Sequence, residues 1–252
     1  MNIAVITGAS SGLGEQFALK TDKQYPEIEE IWLIARREDK LKALSEKLSK
    51  KAKIISLDIT DSEAMKKYSL LLNEEKPNIK LLINNAGFGK LGDFDSMAPE
   101  DTGAMIRLNC EALTVITSLS LPFMSENGEI INSCSIASFA PNTRMAVYSS
   151  TKAYVMSFSR ALREELKPRK INVLAACPGP MDTEFLPVAG IEKGSSRTFD
   201  TLPRVKPDEM AENSLKASKR KKAVYTNKAF YKFYRILAKL LPHSLVMKLA
   251  GT

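Results

Sequence analysis

Residues 2–14 run Asn-Ile-Ala-Val-Ile-Thr-Gly-Ala-Ser-Ser-Gly-Leu-Gly, so an apolar run of strand length passes directly into a glycine-rich turn. Glycines at such a turn allow the backbone to approach a pyrophosphate closely, and the N–H groups and dipole of the following helix meet its negative charge. A glycine-rich turn alone is weak evidence, and a purely structural turn is the alternative. Its position after the first strand favours a phosphate-binding site formed by Gly8, Ser10, Ser11, Gly12, Leu13 and Gly14.

The rest of the chain continues this alternation of short apolar runs and longer amphipathic segments. The runs of strand length are Ile3–Thr7, Ile31–Ala35, Lys53–Leu57, Lys80–Asn84, Glu129–Cys134, Ile171–Ala176 and Ala223–Thr226. Apolar residues recur at helical spacing near residues 12–24, 38–51, 61–75, 99–126, 147–167 and 207–219. Such alternation is typical of parallel strands joined by crossover helices. We therefore predict a doubly wound, Rossmann-type α/β sandwich with a seven-stranded parallel sheet and helices on both faces.

The composition limits the size, the compartment and the chemistry. A chain of 252 residues with 44% hydrophobic and 26% charged residues predicts one globular unit. The single histidine, His243, excludes a His-rich zinc site and makes a Ser-His-Asp triad hard to assemble, so we predict no metal. Cys110, Cys134 and Cys177 show no CxxC spacing, which is typical of reduced thiols. With neither a charged leader nor an uncharged apolar stretch of 18 residues, the sequence predicts a cytoplasmic protein.

The end of the second predicted strand indicates which dinucleotide the fold binds. An NAD-binding site places an acidic residue there, which hydrogen-bonds the ribose 2′-hydroxyl. Here the strand ends at Ala35 and is followed by Arg36 and Arg37. Arginine is permanently charged and holds phosphate groups through paired hydrogen bonds. The sequence therefore predicts NADP(H) as the cofactor, with NAD(H) as the weaker alternative. The structural alternative is that the two arginines only begin a solvated helix and bind no phosphate.

Three further residues suggest catalytic chemistry. Tyr148 and Lys152 are separated by one helical turn, which places a phenol and an ammonium on the same helix face. Ser135 follows the apolar strand Glu129–Cys134, at the edge of the sheet that also carries the glycine-rich turn. Strand end and helix face can converge at that edge, which predicts a shared site for the three side chains.

With these residues in place, the sequence resembles the short-chain dehydrogenase/reductases in their single-domain form. The resemblance extends from Thr7 to about Thr226 and rests on ordered motifs: the TGxxxGxG turn at Thr7–Gly14, Asp58-Ile59, Asn84-Asn85-Ala86-Gly87, Asn109, Ser135, the YxxxK pair Tyr148 and Lys152, and Pro178-Gly179 with Thr183. It implies alcohol–ketone interconversion with a nicotinamide cofactor, and often a dimer or tetramer.

The resemblance also implies a role for each matched residue. Tyr148 is implied as the general acid in reduction and the base in oxidation, with Lys152 lowering its pKa from the ordinary value near 10. Lys152 is further implied to bond the nicotinamide ribose, Ser135 to bond the substrate oxygen, and Asn109 to hold a water of the proton relay. The remaining implied cofactor contacts are Asp58 and Ile59 at the adenine, Asn85, Ala86 and Gly87 along the adenosine, and Pro178, Gly179, Met181 and Thr183 around the nicotinamide.

One departure from the family pattern affects cofactor selection. Some NADP-preferring members carry a basic residue inside the glycine turn, where this sequence has Ser10 and Ser11. Arg36, one position beyond the missing acid, must then carry most of the discrimination. The use of both NADP(H) and NAD(H) by this protein therefore stays an open alternative.

Two C-terminal regions break the α/β rhythm. Residues 180–206 contain three prolines and two glycines after a strand end, where open α/β sheets bind ligands, and we interpret them as a substrate lid. Residues 213–252 hold ten Lys or Arg and no acidic residue, out of a net charge of +8. Within residues 229–241 an apolar, largely aromatic side faces away from Lys232, Arg235 and Lys239. We therefore divide the chain into a catalytic domain, residues 1–228, and an amphipathic basic tail, residues 229–252.

Three interpretations of the tail are open: packing over the active-site mouth or a second subunit, contact with a membrane interface, and nucleic-acid contact. The first is favoured because it needs no further partner, and we predict no nucleic-acid partner. The aromatic tail and the apolar lid suggest an apolar alcohol or ketone, such as a hydroxysteroid or another lipid-like carbonyl compound. The alternatives are a 3-oxoacyl reductase-type enzyme and a non-catalytic NADPH-binding sensor or scaffold. We expect a homo-oligomer.

Overall fold

The computed structural model describes residues 1–192, 194 and 196–249, and these residues form alternating strands and helices. The strands are β1 (Asn2–Thr7), β2 (Glu30–Ala35), β3 (Lys51–Ser56), β4 (Asn78–Asn84), β5 (Met124–Ser133), β6 (Asn172–Ala176) and β7 (Val224–Tyr225). The helices are α1 (Gly12–Gln24), α2 (Glu38–Ser45), α3 (Ser62–Glu75), α4 (Pro99–Ile106), α5 (Leu113–Ser120), α6 (Ala146–Glu165), α7 (Phe185–Val188), α8 (Arg197–Thr201), α9 (Pro207–Lys219), α10 (Ala229–Leu240) and α11 (His243–Leu249).

The strands form one parallel sheet in the order β3-β2-β1-β4-β5-β6-β7. The order reverses between β1 and β4, so the connections after these two strands leave in opposite directions and open a crevice at the carboxyl edge. The predicted doubly wound fold is confirmed.

Helices cover both faces of the sheet because successive residues of the central strands point to opposite sides. On one face Ile6 belongs to a buried cluster with Phe17 of α1 and Leu215 of α9. On the other face Val5 belongs to a cluster with Ile116 of α5 and Leu162 of α6. A strand that is apolar on both sides is therefore fixed between two helical layers.

Two predicted helix ends are wrong. The second helix stops at Ser45 rather than near residue 51, because the amides of Lys47 and Leu48 bond carbonyls three residues back and tighten the chain into a turn. The predicted helix 99–126 ends early for a different reason. Pro122 lies in a short 3₁₀ turn, and β5 begins at Met124.

That same predicted helix is also divided inside. Residues Arg107–Ala112 form a π-helical turn between α4 and α5. The continuous helical run Pro99–Phe123 has the length and composition of a membrane span, yet 44% of its most apolar window is buried inside the protein. Met105, Leu113 and Ile116 are all buried, so this run serves as a core helix of the fold.

The tail lies against the α/β unit. Tyr231 of α10 is buried, and its hydroxyl donates a hydrogen bond to the Pro203 carbonyl at 2.7 Å. The tyrosine ring lies so close to Gly179 that a Cβ there would come within 2.3 Å of it. In α11 Val246 is buried with Ala140 and Ala238. Residues 193 and 195 of the predicted lid and residues 250–252 of the predicted tail lie outside the described residues.

Candidate active site

A cavity of about 1080 Å³ opens at the carboxyl edge of the sheet. We call its two sides the inner wall, formed by strand ends, the glycine turn and α6, and the outer wall, formed by residues 180–206 and the tail. All the sequence-predicted site residues except Gly14 and Asn109 line it: Gly8, Ser10, Ser11, Gly12, Leu13, Arg36, Arg37, Asp58, Ile59, Asn85, Ala86, Gly87, Ser135, Tyr148, Lys152, Pro178, Gly179, Met181 and Thr183.

The glycine turn has the backbone that a pyrophosphate site needs. Gly8 and Gly12 have φ angles of +67° and +56°, which side-chain-bearing residues rarely adopt. A Cβ on Gly14 would lie 2.0 Å from the Gly8 carbonyl oxygen, so Gly14 packs the helix onto the turn rather than lining the cavity. The start of α1 has no side-chain cap, and its first N–H groups therefore stay available to an anion.

Hydrogen bonds tie the glycine turn to the ends of β4 and β5. The Thr7 hydroxyl accepts bonds from the amides of Asn85 and Ala86, at 3.0 and 3.2 Å. The Asn85 side-chain amide donates to the Gly8 carbonyl at 3.3 Å and accepts from the Ser133 hydroxyl at 3.0 Å. These bonds hold the carboxyl ends of β1, β4 and β5 together in the inner wall.

The two arginines after β2 have different surroundings. The Arg37 guanidinium donates to Ser10 and Ser11 of the glycine turn, at 3.1 and 2.9 Å, and to the Glu184 carboxylate at 2.7 Å. The hydrogen bond from Arg37 is the main reason that the pKa of Glu184 is lowered. Arg36 is 77% exposed, and its guanidinium lies 3.8 Å from Asp58. Arg36 therefore makes a single long ion pair at an exposed position, whereas Arg37 joins the lid to the turn.

Asp58, which the family resemblance places at the adenine, has its own local partners at the rim of the cavity. Its carboxylate accepts bonds from the Thr60 amide at 2.9 Å and from the Thr60 hydroxyl at 2.7 Å. Burial acts to raise the pKa of Asp58, but the Thr60 bonds and the Arg36 charge together lower it. The carboxylate is thus an ionised hydrogen-bond acceptor at the rim of the cavity.

Ser135 and Tyr148 come together from β5 and α6. The Ser135 hydroxyl accepts a bond from the Ala137 amide at 3.1 Å, which caps a short 3₁₀ turn and fixes the side chain toward the cavity. The Tyr148 hydroxyl hydrogen-bonds the Ser135 side chain. The ring of Phe185 from the lid lies 5.6 Å from the Tyr148 ring, centroid to centroid. The hydroxyl pair thus faces the cavity beneath an aromatic cover.

Burial governs the protonation of Tyr148. It raises the pKa of the Tyr148 hydroxyl above the ordinary value, and the bond with Ser135 offsets this only in part. The expected lowering by Lys152 is not found here, because burial also lowers the pKa of that ammonium and its nitrogen is turned toward the backbone. The protonated phenol is therefore ready to donate a proton to a bound oxygen.

Lys152 is held by backbone on the sheet side. Its ammonium donates to the Ser133 carbonyl at 2.8 Å and lies 5.7 Å from the centre of the Tyr148 ring. The side chain is buried, so its position is set by packing as well as by this bond. The Ser133 carbonyl thus fixes the ammonium beside the Tyr148 ring.

Asn109 lies behind the cavity wall rather than on it. Its amide donates to the Phe88 carbonyl at 2.8 Å and to the Thr151 hydroxyl at 3.0 Å, and its oxygen accepts from the Phe88 amide at 3.1 Å. It occupies the π-helical turn, a local widening that often marks functional positions. Asn109 therefore links α6 to the loop after β4.

The loop after β6 closes the nicotinamide end of the predicted site. The Pro178 carbonyl accepts a bond from the Ile136 amide at 3.1 Å, and the Pro180 carbonyl accepts from the Val205 amide at 2.9 Å. Met181 and Val205 form an isolated parallel bridge. The start and the end of the lid are thereby fixed together.

Sequence reasoning missed several residues of the site: Thr7, Ser133, Thr151 and Glu184. Thr7 and Ser133 end strands beside predicted site residues, a signal that could have found them. Glu184 carries no local signal, because its contact depends on how the lid folds back. Phe185 was expected as an apolar lid residue, but its contact with the Tyr148 ring was not. Among the described residues no group of three or more His, Cys, Asp or Glu side chains could hold a metal ion.

Comparisons with known proteins agree with this geometry. A sequence model of the family described as short chain dehydrogenase matches residues 2–191. A serine 3-dehydrogenase of Rhizobium radiobacter is 33% identical over 217 residues, which cover 82% of this chain and 84% of that protein. An uncharacterized oxidoreductase of Staphylococcus epidermidis is 30% identical over 183 residues, or 72% of this chain and 78% of that one. The solved structure of a short-chain dehydrogenase from Sphingobium yanoikuyae in complex with NADPH superposes with a TM-score of 0.78 at 31% identity, covering 90% of this chain and 87% of that one.

Proposed function

Because the chain belongs to the short-chain dehydrogenase/reductase family, we propose that it is an NADP(H)-dependent oxidoreductase interconverting a secondary alcohol and a ketone on an apolar substrate. The observation that carries the substrate class is the outer wall of the cavity. Its apolar side chains come from the lid and the tail: Phe185, Leu186, Val188, Phe199, Leu202, Phe230, Phe233, Leu237, Leu241 and Val246.

The inner wall suits a dinucleotide. The glycine turn admits a pyrophosphate at the uncapped start of α1, and the loop after β6 leaves room beside Ser135 and Tyr148. Two guanidiniums replace the acidic residue of an NAD site, which supports NADP(H) with NAD(H) as the weaker alternative. The relative from Sphingobium yanoikuyae carries NADPH. When bound, the nicotinamide supplies or accepts the hydride.

Each catalytic side chain has one task in this proposal. During reduction Tyr148 donates the phenolic proton to the carbonyl oxygen, and during oxidation its phenolate accepts the alcohol proton. Ser135 stabilises the negative charge that develops on that oxygen. Lys152, anchored on the Ser133 carbonyl, lies beside the phenol and bonds the nicotinamide ribose in this proposal. Asn109 is a positioning residue that holds α6 through Thr151.

A small polar hydroxy acid is the second candidate substrate, because the Rhizobium radiobacter relative is a serine 3-dehydrogenase. Recognition of a carboxylate would need a free cation inside the cavity. Two cations outside the predicted cofactor and catalytic residues line the wall: Lys90, which lies 3.6 Å from Asp101, and Arg107. They leave a carboxylate site open, but the apolar side chains of the outer wall far outnumber them. The apolar candidate, exemplified by hydroxysteroids, lipid-like ketones and 3-oxoacyl compounds, therefore stays first. The sensor or scaffold alternative has less support, since a sensor does not need the complete set Asn109, Ser135, Tyr148 and Lys152.

Two broader features belong to the same proposal. Exposed apolar side chains on α4 and α6, Ile106 and Tyr154, support a homo-oligomer that packs these helices together. The cysteines Cys110, Cys134 and Cys177 are free thiols, which supports a cytoplasmic location.

The test is cofactor oxidation at 340 nm against keto-steroids, 3-oxoacyl thioesters, simple ketones and 2-amino-3-oxo acids. We expect turnover with NADPH on the apolar ketones and slower turnover with NADH. Turnover confined to the amino acids would replace the apolar substrate class by the polar one. NADPH binding without turnover on any compound would favour the sensor.

A further inference from the structure

Helix α10 presents three different sides. One side is buried against the α/β unit through Tyr231 and Ala238. A second side carries Lys232, Arg235 and Lys239, which recur at helical spacing. A third side is apolar and exposed to solvent. We call it the apolar strip, and it consists of Phe230, Phe233, Ile236 and Leu240, exposed by 52%, 60%, 55% and 76%.

The strip is larger than the scattered apolar residues of an ordinary surface. Single exposed apolar side chains are normal, whereas a contiguous row of them marks an interaction site. Leu245 of α11 is exposed as well and extends the apolar surface beyond α10. No other element in the described part of the chain carries so many exposed large apolar side chains. The strip therefore needs an occupant.

The positive charge around the strip indicates which kind of partner it binds. Residues 213–252 contain ten Lys or Arg and no Asp or Glu. A second copy packed strip to strip would bring one basic side against another, with no carboxylate of the tail to neutralise it. An anionic lipid surface offers phosphate groups to the basic side and hydrocarbon to the strip, as interfacial amphipathic helices require.

The strip borders the mouth of the active-site cavity. Phe230 and Phe233 belong both to the strip and to the cavity wall. Val188 of the lid lines the same cavity and is also exposed. Two separate segments, the lid and α10, thus place exposed apolar side chains on the wall of one cavity.

We propose that the apolar strip and its basic side dock the protein on an anionic membrane surface, with the cavity mouth turned toward the lipid. An apolar substrate dissolved in the bilayer then enters without crossing water. Docking rests on the surface of α10 alone, and only the entry route rests on the proposed function.

Co-sedimentation of the full-length protein with vesicles, without cofactor or substrate, tests the docking. We expect binding to vesicles of phosphatidylcholine with phosphatidylglycerol, and at least tenfold weaker binding to pure phosphatidylcholine vesicles or at high salt. The double variant Ile236→Ser/Leu240→Ser should lose at least tenfold in vesicle binding. These two side chains do not line the cavity, so NADPH affinity should stay at the wild-type value.

A matched control replaces an exposed leucine elsewhere. Leu70→Ser on α3 removes a side chain of similar exposure away from the strip and should bind vesicles like the wild type. Equal binding by the Ile236/Leu240 variant and the wild type overturns the proposal. Failure of the wild-type protein to bind the anionic vesicles overturns it as well. If sedimentation velocity then shows a wild-type dimer that the variant has lost, the strip serves a second copy.

Discussion

The two walls of the cavity differ in how they are held and in how far they can vary. The side chains of the inner wall are buried and tied to backbone, as Lys152 is to Ser133 and Ser135 to Ala137. Most of the outer wall comes after residue 191, where the match to the family ends, and the wall exposes Val188 and Phe233 to solvent. The proposed chemistry therefore lies on the well-anchored inner wall, and the proposed substrate choice lies on the outer wall, which is built from a loop and the tail.

The largest effect is expected on the inner wall. Replacement of Tyr148 by Phe removes the proton donor but keeps the ring against Phe185 and Gly89. Turnover should fall at least ~100-fold, while NADPH affinity stays within a few-fold. Steady-state rates and fluorescence titration with NADPH measure the two quantities.

Tyr68→Phe is the matched control for that variant. Tyr68 is another buried tyrosine with a bonded hydroxyl, 2.8 Å from Ser120, and it does not line the cavity. It should keep wild-type turnover. Near-normal turnover in Tyr148→Phe would falsify the catalytic assignment. It would also remove the distinction between an inner wall that carries the chemistry and an outer wall that covers the substrate.

The protonation of Tyr148 gives the second test. Burial raises the pKa of this hydroxyl, so the neutral form is favoured up to a higher pH than for an ordinary tyrosine. In the free protein fewer than about one in ten Tyr148 side chains should be phenolate at pH 9. The 295 nm absorbance of the wild type minus that of Tyr148→Phe, followed with pH, measures this fraction.

A titration that shows the pKa of Tyr148 lowered rather than raised would be informative. A phenolate that is half formed near pH 7 would mean that the charge of Lys152 outweighs burial, as the sequence alone suggested. With the neutral phenol favoured, the proton-donating form persists through neutrality, and the proton transfer of reduction should not weaken between pH 6 and pH 9.

The third test concerns cofactor selection by the arginines at the rim between the two walls. In Arg36→Asp a carboxylate can accept a bond from a ribose hydroxyl but repels a 2′-phosphate. The ratio of NADPH to NADH affinity should fall about tenfold to a hundredfold, since a charge-assisted bond contributes about 1.5–3 kcal/mol. An unchanged ratio in Arg36→Asp, together with a shifted ratio in Arg37→Asp, would transfer the selecting role to Arg37, which already lies on the glycine turn.

The same contrast explains what could be predicted from the sequence. Strand order, the glycine turn and the residues at strand ends follow from local patterns, because parallel strands bring their carboxyl ends to one edge. The π-helical turn at Asn109 was not foreseen, since apolar spacing cannot distinguish it from a regular helix. The length of α2 was overestimated for a similar reason: the basic segment before β3 suits a helix end and a turn equally well.

For the outer wall the sequence indicated apolar side chains of the lid and the tail but not their contacts. The lid and the amphipathic tail were recognised, but nothing local to Tyr231 indicates that its ring packs on Gly179 or bonds Pro203. Glu184 likewise carries no motif. Contacts of this kind arise when a loop folds back across the cavity, so they depend on tertiary structure rather than on periodicity.

The smallest expected effect concerns the link between the walls. Glu184 accepts a bond from Arg37 at 2.7 Å, so a cofactor 2′-phosphate that reaches Arg37 competes with this carboxylate for the guanidinium. Glu184→Gln weakens the competition. Because both side chains are largely exposed, the pair contributes only about 0–1 kcal/mol, and NADPH affinity should rise by no more than about fivefold.

NADH distinguishes competition from a general opening of the lid. It lacks the 2′-phosphate, so its affinity for Glu184→Gln should match the wild type in the same fluorescence titration. Glu212→Gln, which removes an exposed carboxylate paired with Lys20 and Lys216 away from the cavity, should change neither affinity. An equal gain for NADPH and NADH would mean that the Arg37–Glu184 pair holds the lid shut against any dinucleotide. The outer wall would then control entry to the cofactor site as well as to the substrate site.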